Sequence, residues 1–231
     1  MSPPQLLDLF LRPRRFFSEG RAAGGRAPLV AAALVYGLGA SVARIEHQAA
    51  LRLVLKDRGI VPRHRAPFIN AIAGDWQQFW GHAAITAIVA AVVFWTLGTW
   101  WFRLRARWSG AADADPRAAR EIYLWSGLVV ALPAIVLGLA QTAAFPTFRA
   151  AWAEASLWTI VLIVFPFWSA FTSYAGVRAV FPVRRGRAIV WFLVLPWLLY
   201  AASFTALGAS LLHMELKSSP AKTVRLSGTS T

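Results

Sequence analysis

Cysteine is absent from the 231 residues. That excludes disulfides, thiolate metal sites and thiol catalysis, and it leaves the redox compartment open. Acid is scarce: ten Asp and Glu stand against 24 Lys and Arg, for a formal net charge of +14. Lysine is confined to Lys56, Lys217 and Lys222, so the basic character is almost all arginine. Charged residues make up 15% of the chain, where a soluble domain carries about a quarter. What remains is apolar, and it is gathered into runs.

Five uncharged stretches extend over Ala27–Ala43, Ala83–Phe102, Ile122–Phe148, Ala155–Val177 and Ala188–Leu212. A helix rises about 1.5 Å per residue, so ~20 apolar residues cross a ~30 Å hydrocarbon core. The first run is shorter, but Arg44 can extend its stem and lift its charge to the headgroups. The chain therefore reads as an all-α, polytopic membrane bundle of five helices spanning 27–43, 83–102, 122–145, 155–177 and 188–212. Residues 1–231 form a single membrane domain in this reading, because no connecting segment is long enough for a second core. The loop over 149–154 is six residues long and turns the third and fourth spans into a hairpin. No internal repeat is visible, which weighs against inverted-repeat transporters.

The basic residues lie in short clusters beside the spans, as for topology and anionic-lipid anchoring, not in one nucleic-acid patch. The amino tail, second loop and fourth loop hold 14 of them and the alternate segments 10. The excess predicts a cytoplasmic amino terminus and an external carboxyl terminus. The Trp residues cluster near run ends and flanks, where an indole with an apolar body and one N–H donor anchors at the interface.

Near the start, Arg14, Arg15 and Phe17 match the Arg-Arg-x-Phe core of a twin-arginine signal, and Ser41-Val42-Ala43 has the composition of a cleavage site. The Arg pair lies far from the apolar run, and four more spans follow. The preferred reading is an interfacial segment. Leu6, Leu7, Leu9, Phe10, Leu11, Phe16 and Phe17 enter the acyl boundary while Arg12, Arg14 and Arg15 meet phosphate. Beyond the first span, residues 45–55 read as a continuing helix stopped by Gly59 and Pro62. Trp76 and Trp80 lie on a helix leading into the second span, and Asp115-Pro116 caps the third.

Catalytic constellations are missing. His47, His64, His82 and His213 have no metal-ligand spacing, and Ser126-Gly127 lacks both the preceding Gly and an intramembrane base. No carboxylate pair lies at depth, so the chain reads as a non-enzyme with no cofactor and no metal. Ion-coupled carriers place an ionisable group at mid-depth, and none falls within these runs. Span polar groups, namely Gln141, Thr142, Thr172, Ser173, Tyr174, Tyr200, Ser203 and Thr205, read as interhelical hydrogen-bonding groups in preference to a substrate site. Pro133, Pro166 and Pro196 each interrupt one of the last three helices, which makes them candidate hinges. Ala33, Gly37 and Ser41 form a small-residue ridge for close helix contact, within the bundle or with another copy, the first being preferred.

Two basic clusters are candidate contacts for lipid or a partner: Arg12, Arg14 and Arg15 before the first span, and Arg178, Arg184, Arg185 and Arg187 in the fourth loop. The expected partners are anionic headgroups and an unidentified membrane-associated protein, without nucleic acid, with a homo-oligomer left open. The rival is a small-molecule permease using a cavity among the Pro-bearing helices.

Arg12-Pro13-Arg14-Arg15-Phe16-Phe17 is similar to the Pro-basic-Phe-Phe opening of the Yip family, five-span proteins named for interaction with Rab/Ypt GTPases. Gly176-Val177-Arg178, Arg187-Ala188 followed by Pro196, and Pro133 extend the likeness, and the bacterial branch is the nearer. The Asp-Leu-Tyr-Gly-Pro segment and long amino-terminal domain of eukaryotic members are missing, so no GTPase partner is carried over. The resemblance implies a cytoplasmic amino terminus, a bacterial inner-membrane protein, and a non-enzymatic, trafficking-like role in membrane organisation. Pro196-Trp197-Leu198-Leu199-Tyr200 faintly echoes the tryptophan-rich sensory proteins, whose early Trp- and Pro-rich motifs are missing.

Overall fold

The computed structural model describes residues 3–19, 25–57, 72, 74–154, 163–203 and 205. These residues are overwhelmingly helical, and no strand occurs among them. The elements are α1 (Pro3–Leu11), α2 (Pro13–Ser18), α3 (Arg26–Asp57), α4 (Trp76–Trp108), α5 (Pro116–Ala144), α6 (Phe148–Glu154), α7 (Val164–Val180) and α8 (Arg185–Ser203). Four helical stretches are long and apolar enough to cross a membrane: Arg26–Gln48 of α3, then α4, α5 and α8. Of the run at 155–177, residues 163–177 are described, and their helix α7 has 17 residues. Residues 204 and 206–212 of the last run also lie outside the described residues.

The start signal at Asp115 placed α5 well, and α4 opens with a cap of the same kind. Asp75 accepts the Gln77 N–H at 2.8 Å and opens α4 one residue before Trp76. Asp115 accepts the Ala118 N–H at 2.8 Å, with Pro116 in the first turn of α5 where its missing donor costs nothing. The continuation past the first span is real: α3 runs unbroken to Asp57. Its proposed stops, Gly59 and Pro62, lie outside the described residues. Because α3 passes through the hydropathy window as far as Gln48, Arg44, Glu46 and His47 fall inside that candidate span. Ser41 and Val42 of the cleavage-like triplet are buried mid-helix.

Helix α3 is the centre of the packing, with α4 on one side and α5 on another, while α7 packs on α5 and on α2. Two matched small-residue ridges explain the closeness of α3 and α4. Ala33, Gly37 and Ser41 are the expected one. Ala83, Ala87 and Ala91 on α4 are its partner, all buried. Small residues bring backbones together, which supplies dispersion contacts where lipid offers no hydrophobic drive. A side chain at Gly39 would likewise run into Ala131 of α5. The ridge packs within the chain.

The segment over 149–154, expected as a loop, belongs to helix α6 instead. Phe148 at its start is buried and stacks on Phe79 with ring centroids 5.7 Å apart. Burial of two phenyl faces outweighs the loop-like spacing, which is all the sequence displayed. Trp76 and Trp80, expected as interface anchors, instead donate across helices, to the Phe145 carbonyl at 2.8 Å and the Thr142 hydroxyl at 3.0 Å. Trp100, Trp101 and Trp108 are exposed in keeping with anchoring, whereas Trp125 is buried in the core.

By contact the chain divides into a unit of Met1–Trp197 and a second of Leu198–Thr231. The second is described at 198–203 and 205, which are helical.

Candidate functional site

One end of the first unit is built by three segments distant in sequence: α2, the turn after α4, and the turn between α7 and α8. Helix α4 stops through Gly110, whose φ of 111° suits glycine alone. The Ala111 N–H bonds the Ala106 carbonyl and the Gly110 N–H that of Arg107, so the last carbonyls are satisfied by the returning chain. The Ser109 carbonyl then accepts the Arg184 N–H at 2.9 Å, which ties the second loop to the fourth. The fourth loop itself is short, since α7 ends at Val180 and α8 begins at Arg185.

Helix α2 reaches the same end by burying aromatics. Phe16 is fully buried and meets Trp125 of α5 edge-on at 6.1 Å. Phe17 occupies the space left by Gly176, where a Cβ would stand 2.9 Å from the ring and 2.5 Å from Ile122. Trp168 of α7 donates to the Phe10 carbonyl at 2.8 Å, securing α1 as well. The amino-terminal segment was expected to send its apolar groups into lipid. Leu9, Phe16 and Phe17 go into the protein core instead, and Leu7 and Leu11 remain exposed. Twelve residues of amphipathic pattern do not reveal whether the apolar partner is acyl chain or helix.

Docking of α2 on α7 brings the two predicted basic clusters together. A concavity of about 770 Å³ is lined by Arg12, Arg14 and Arg15 on the α2 wall and by Arg178 and Arg185 on the α7–α8 wall. Leu11, Phe171, Tyr174 and Ala175 contribute to its surface, and no acidic residue lines it among the described residues. Arg15 is compensated by Glu19 at 2.6 Å, a contact that raises the guanidinium pKa through the hydrogen bond first and the charge second. Arg187 stands apart, in a second concavity of about 590 Å³ with Arg107, Trp108 and Trp191. Arg184 lies over Gly110 in the inter-loop contact. Five of the seven expected arginines thus share one groove.

The candidate hinges have three different settings. Pro133 sits mid-helix in α5, and Pro166 is the third residue of the described helix α7, where no donor is required. Pro196 has a visible consequence. Val190–Val194 form a π turn in which the Leu195 N–H bonds the Val190 carbonyl. The next bond in that pattern would join residue 196 to the Trp191 carbonyl, and proline has no N–H to give. Arg105 of α4 supplies the missing donor, its guanidinium 3.4 Å from that carbonyl and 4.8 Å from the Phe192 ring centroid. Sequence reasoning passed over Arg105 as one more loop cation; its only signal was a basic residue three after Phe102 in an aromatic stretch. Arg105→Met is expected to cost about 2 kcal/mol in unfolding assays in detergent. The cost should fall by about 1 kcal/mol in a Pro196→Ala background, where residue 196 regains its N–H.

Other polar groups act structurally. Ser126 donates to the Ile122 carbonyl of its own helix at 2.6 Å, and Ser169 donates to the Ser126 carbonyl across helices at 2.9 Å. Ser203 bonds within its own helix, to Leu199. No cluster of three metal-ligating side chains occurs among the described residues. Neither concavity is bordered by Pro133, Pro166, Pro196, His82 or Glu154.

A comparison with curated proteins and another with solved structures return no match. The model of the Yip1 domain matches residues 7–207, which takes in α2, the helices from α3 through α8 and both walls of the groove. The Pro-Arg-Arg-Phe-Phe stretch and the Gly-Val-Arg stretch that carried the resemblance are the two that pack on each other at Phe17 and Gly176. The chain is a multi-pass membrane protein, and it belongs to the Yip1 domain family, a non-enzymatic one.

Proposed function

We propose that the protein works by association, as a lipid- and protein-holding component of membrane organisation with a trafficking-like role, and that it catalyses no reaction. One observation carries this reading: arginines from positions 12–15 and 178–185 converge on a single groove, where Glu19 and Asp8 act on Arg15 and no acid stands among the described lining residues. A folded arrangement that gathers like charges costs energy unless an anion fills it. Topology needs the charges on one side of the membrane, but it does not need them in one concavity.

The proposed setting is a bacterial inner membrane with the amino terminus in the cytoplasm. The run at 155–177 completes a fifth span, supported by 23 consecutive uncharged residues. A second copy or another membrane protein is compatible with the exposed face of α4. The permease reading has less support, because neither concavity formed by the described residues is bordered by Pro133, Pro166 or Pro196.

The test is the lipid that accompanies the protein through mild detergent. Wild-type protein should retain anionic lipid above its share in the source membrane. Protein with Arg12, Arg14, Arg15, Arg178 and Arg185 all changed to Gln should retain the bulk composition. Equal retention by the two would remove the groove from the function, and solute uptake into proteoliposomes would put the permease first.

A further inference from the structure

Resting on that reading and deepening it, we propose that the groove between α2 and α7 is a site for one phospholipid bearing two headgroup phosphates. The two walls carry the argument. Arg12, which caps α2, and Arg14 within it form one wall, while Arg178 and Arg185 stand on the opposite wall. Arg15 is compensated by Glu19 and contributes less. Guanidinium groups pair with phosphate through paired N–H donors, so each wall suits one phosphate. A single monoanionic headgroup would leave one wall without a counter-charge.

The apolar lining selects a lipid over an acidic peptide. Leu11 is 66% exposed and Phe171 40% exposed, and both border the groove beside the arginines. Trp168, also exposed, lies one helical turn from Phe171, their ring centroids 5.4 Å apart. A peptide carboxylate would engage the arginines and leave this apolar surface unused. A phospholipid engages both, with phosphates against the arginines and an acyl chain along Leu11, Phe171 and Trp168. Tyr174, between the two zones, offers a hydroxyl to the glycerol region. A volume near 770 Å³ is in the range of small-ligand pockets, enough for a headgroup and far less than a folded partner.

The experiment uses the full chain, delipidated in detergent and titrated with cardiolipin, phosphatidylglycerol, inorganic pyrophosphate and a poly-glutamate peptide. Binding is followed by native mass spectrometry. Cardiolipin should bind at least ten times more tightly than phosphatidylglycerol, and pyrophosphate should compete poorly because it lacks the chain. Arg12→Gln with Arg14→Gln, and separately Arg178→Gln with Arg185→Gln, should each weaken cardiolipin about 30-fold, at ~1 kcal/mol per arginine. Each pair should bring it toward the phosphatidylglycerol value without lowering the melting temperature. Equal affinity for the two lipids, with both pairs of substitutions still weakening them, would overturn the two-phosphate assignment and keep the anionic groove. Poly-glutamate binding tighter than either lipid, with the same sensitivity, would overturn the lipid and leave an acidic protein as occupant. Binding unaffected by all four substitutions would overturn both readings.

Discussion

Gly37→Leu is expected to destabilise the folded bundle severely. A Cβ at position 37 would lie 2.9 Å from the Ala91 amide nitrogen and closer still to the Ala87 carbonyl oxygen. Both obstacles are backbone atoms of α4, so no side-chain rotation relieves them. The helices must separate, and the opposed ridges of Ala33, Gly37, Ser41 and Ala83, Ala87, Ala91 lose contact along their length. Over-packing costs 1–3 kcal/mol where side chains can yield, so a rigid clash should cost about 3 kcal/mol or more. That is a large part of typical domain stability. Size-exclusion chromatography after detergent extraction should show the variant aggregated. Gly81→Ala serves as control, since a Cβ there meets nothing within 4 Å, and it should leave the elution profile unchanged. A monodisperse Gly37→Leu protein melting near the wild type would mean that the ridges do not hold α3 to α4.

The same ridge marks how far the sequence could be read. Ala33, Gly37 and Ser41 announce a close helix contact by their spacing alone. Their partner Ala83, Ala87 and Ala91 has the same spacing, but it lies in an alanine-rich run where small residues are common on every face. The cap at Asp115 and the helix past Ala43 were legible because they are local, each settled by a few neighbouring residues. The fate of the aromatics was not. Trp100 and Trp125 are both near run ends, yet one faces outward and the other packs on Phe16. That difference depends on where α2 returns to the bundle, a long-range fact. The π turn at Phe94–Gly98 is of the same kind: the Tyr123 ring of α5 takes the place of a side chain at Gly98, and Tyr36 of α3 stacks on Phe94 at 4.2 Å. The basic clusters were readable as two groups, but their convergence was not, because it requires Phe17 to find Gly176.

That contact yields the second large effect. Phe16→Ala with Phe17→Ala should release α2 from the bundle while the spanning helices stay packed. Each ring is almost wholly buried, and truncating a buried phenylalanine costs about 3–5 kcal/mol. Helix α2 has six residues and cannot persist without tertiary contact, since an isolated helix of that length does not pass its nucleation cost. Trypsin sites at Arg14 and Arg15 would then be open most of the time. Cleavage there should rise at least 100-fold, the factor that about 3 kcal/mol of lost local stability implies. Gly176→Val attacks the same contact from the other wall, since its side chain claims the space held by Phe17 and Ile122. It should raise cleavage likewise, although every arginine is retained. Binding of anionic lipid should fall with docking in both variants, even though neither changes a charge. If cleavage rises and lipid binding does not change, the arginines of α2 act from an undocked tail, and the groove is not what gathers them.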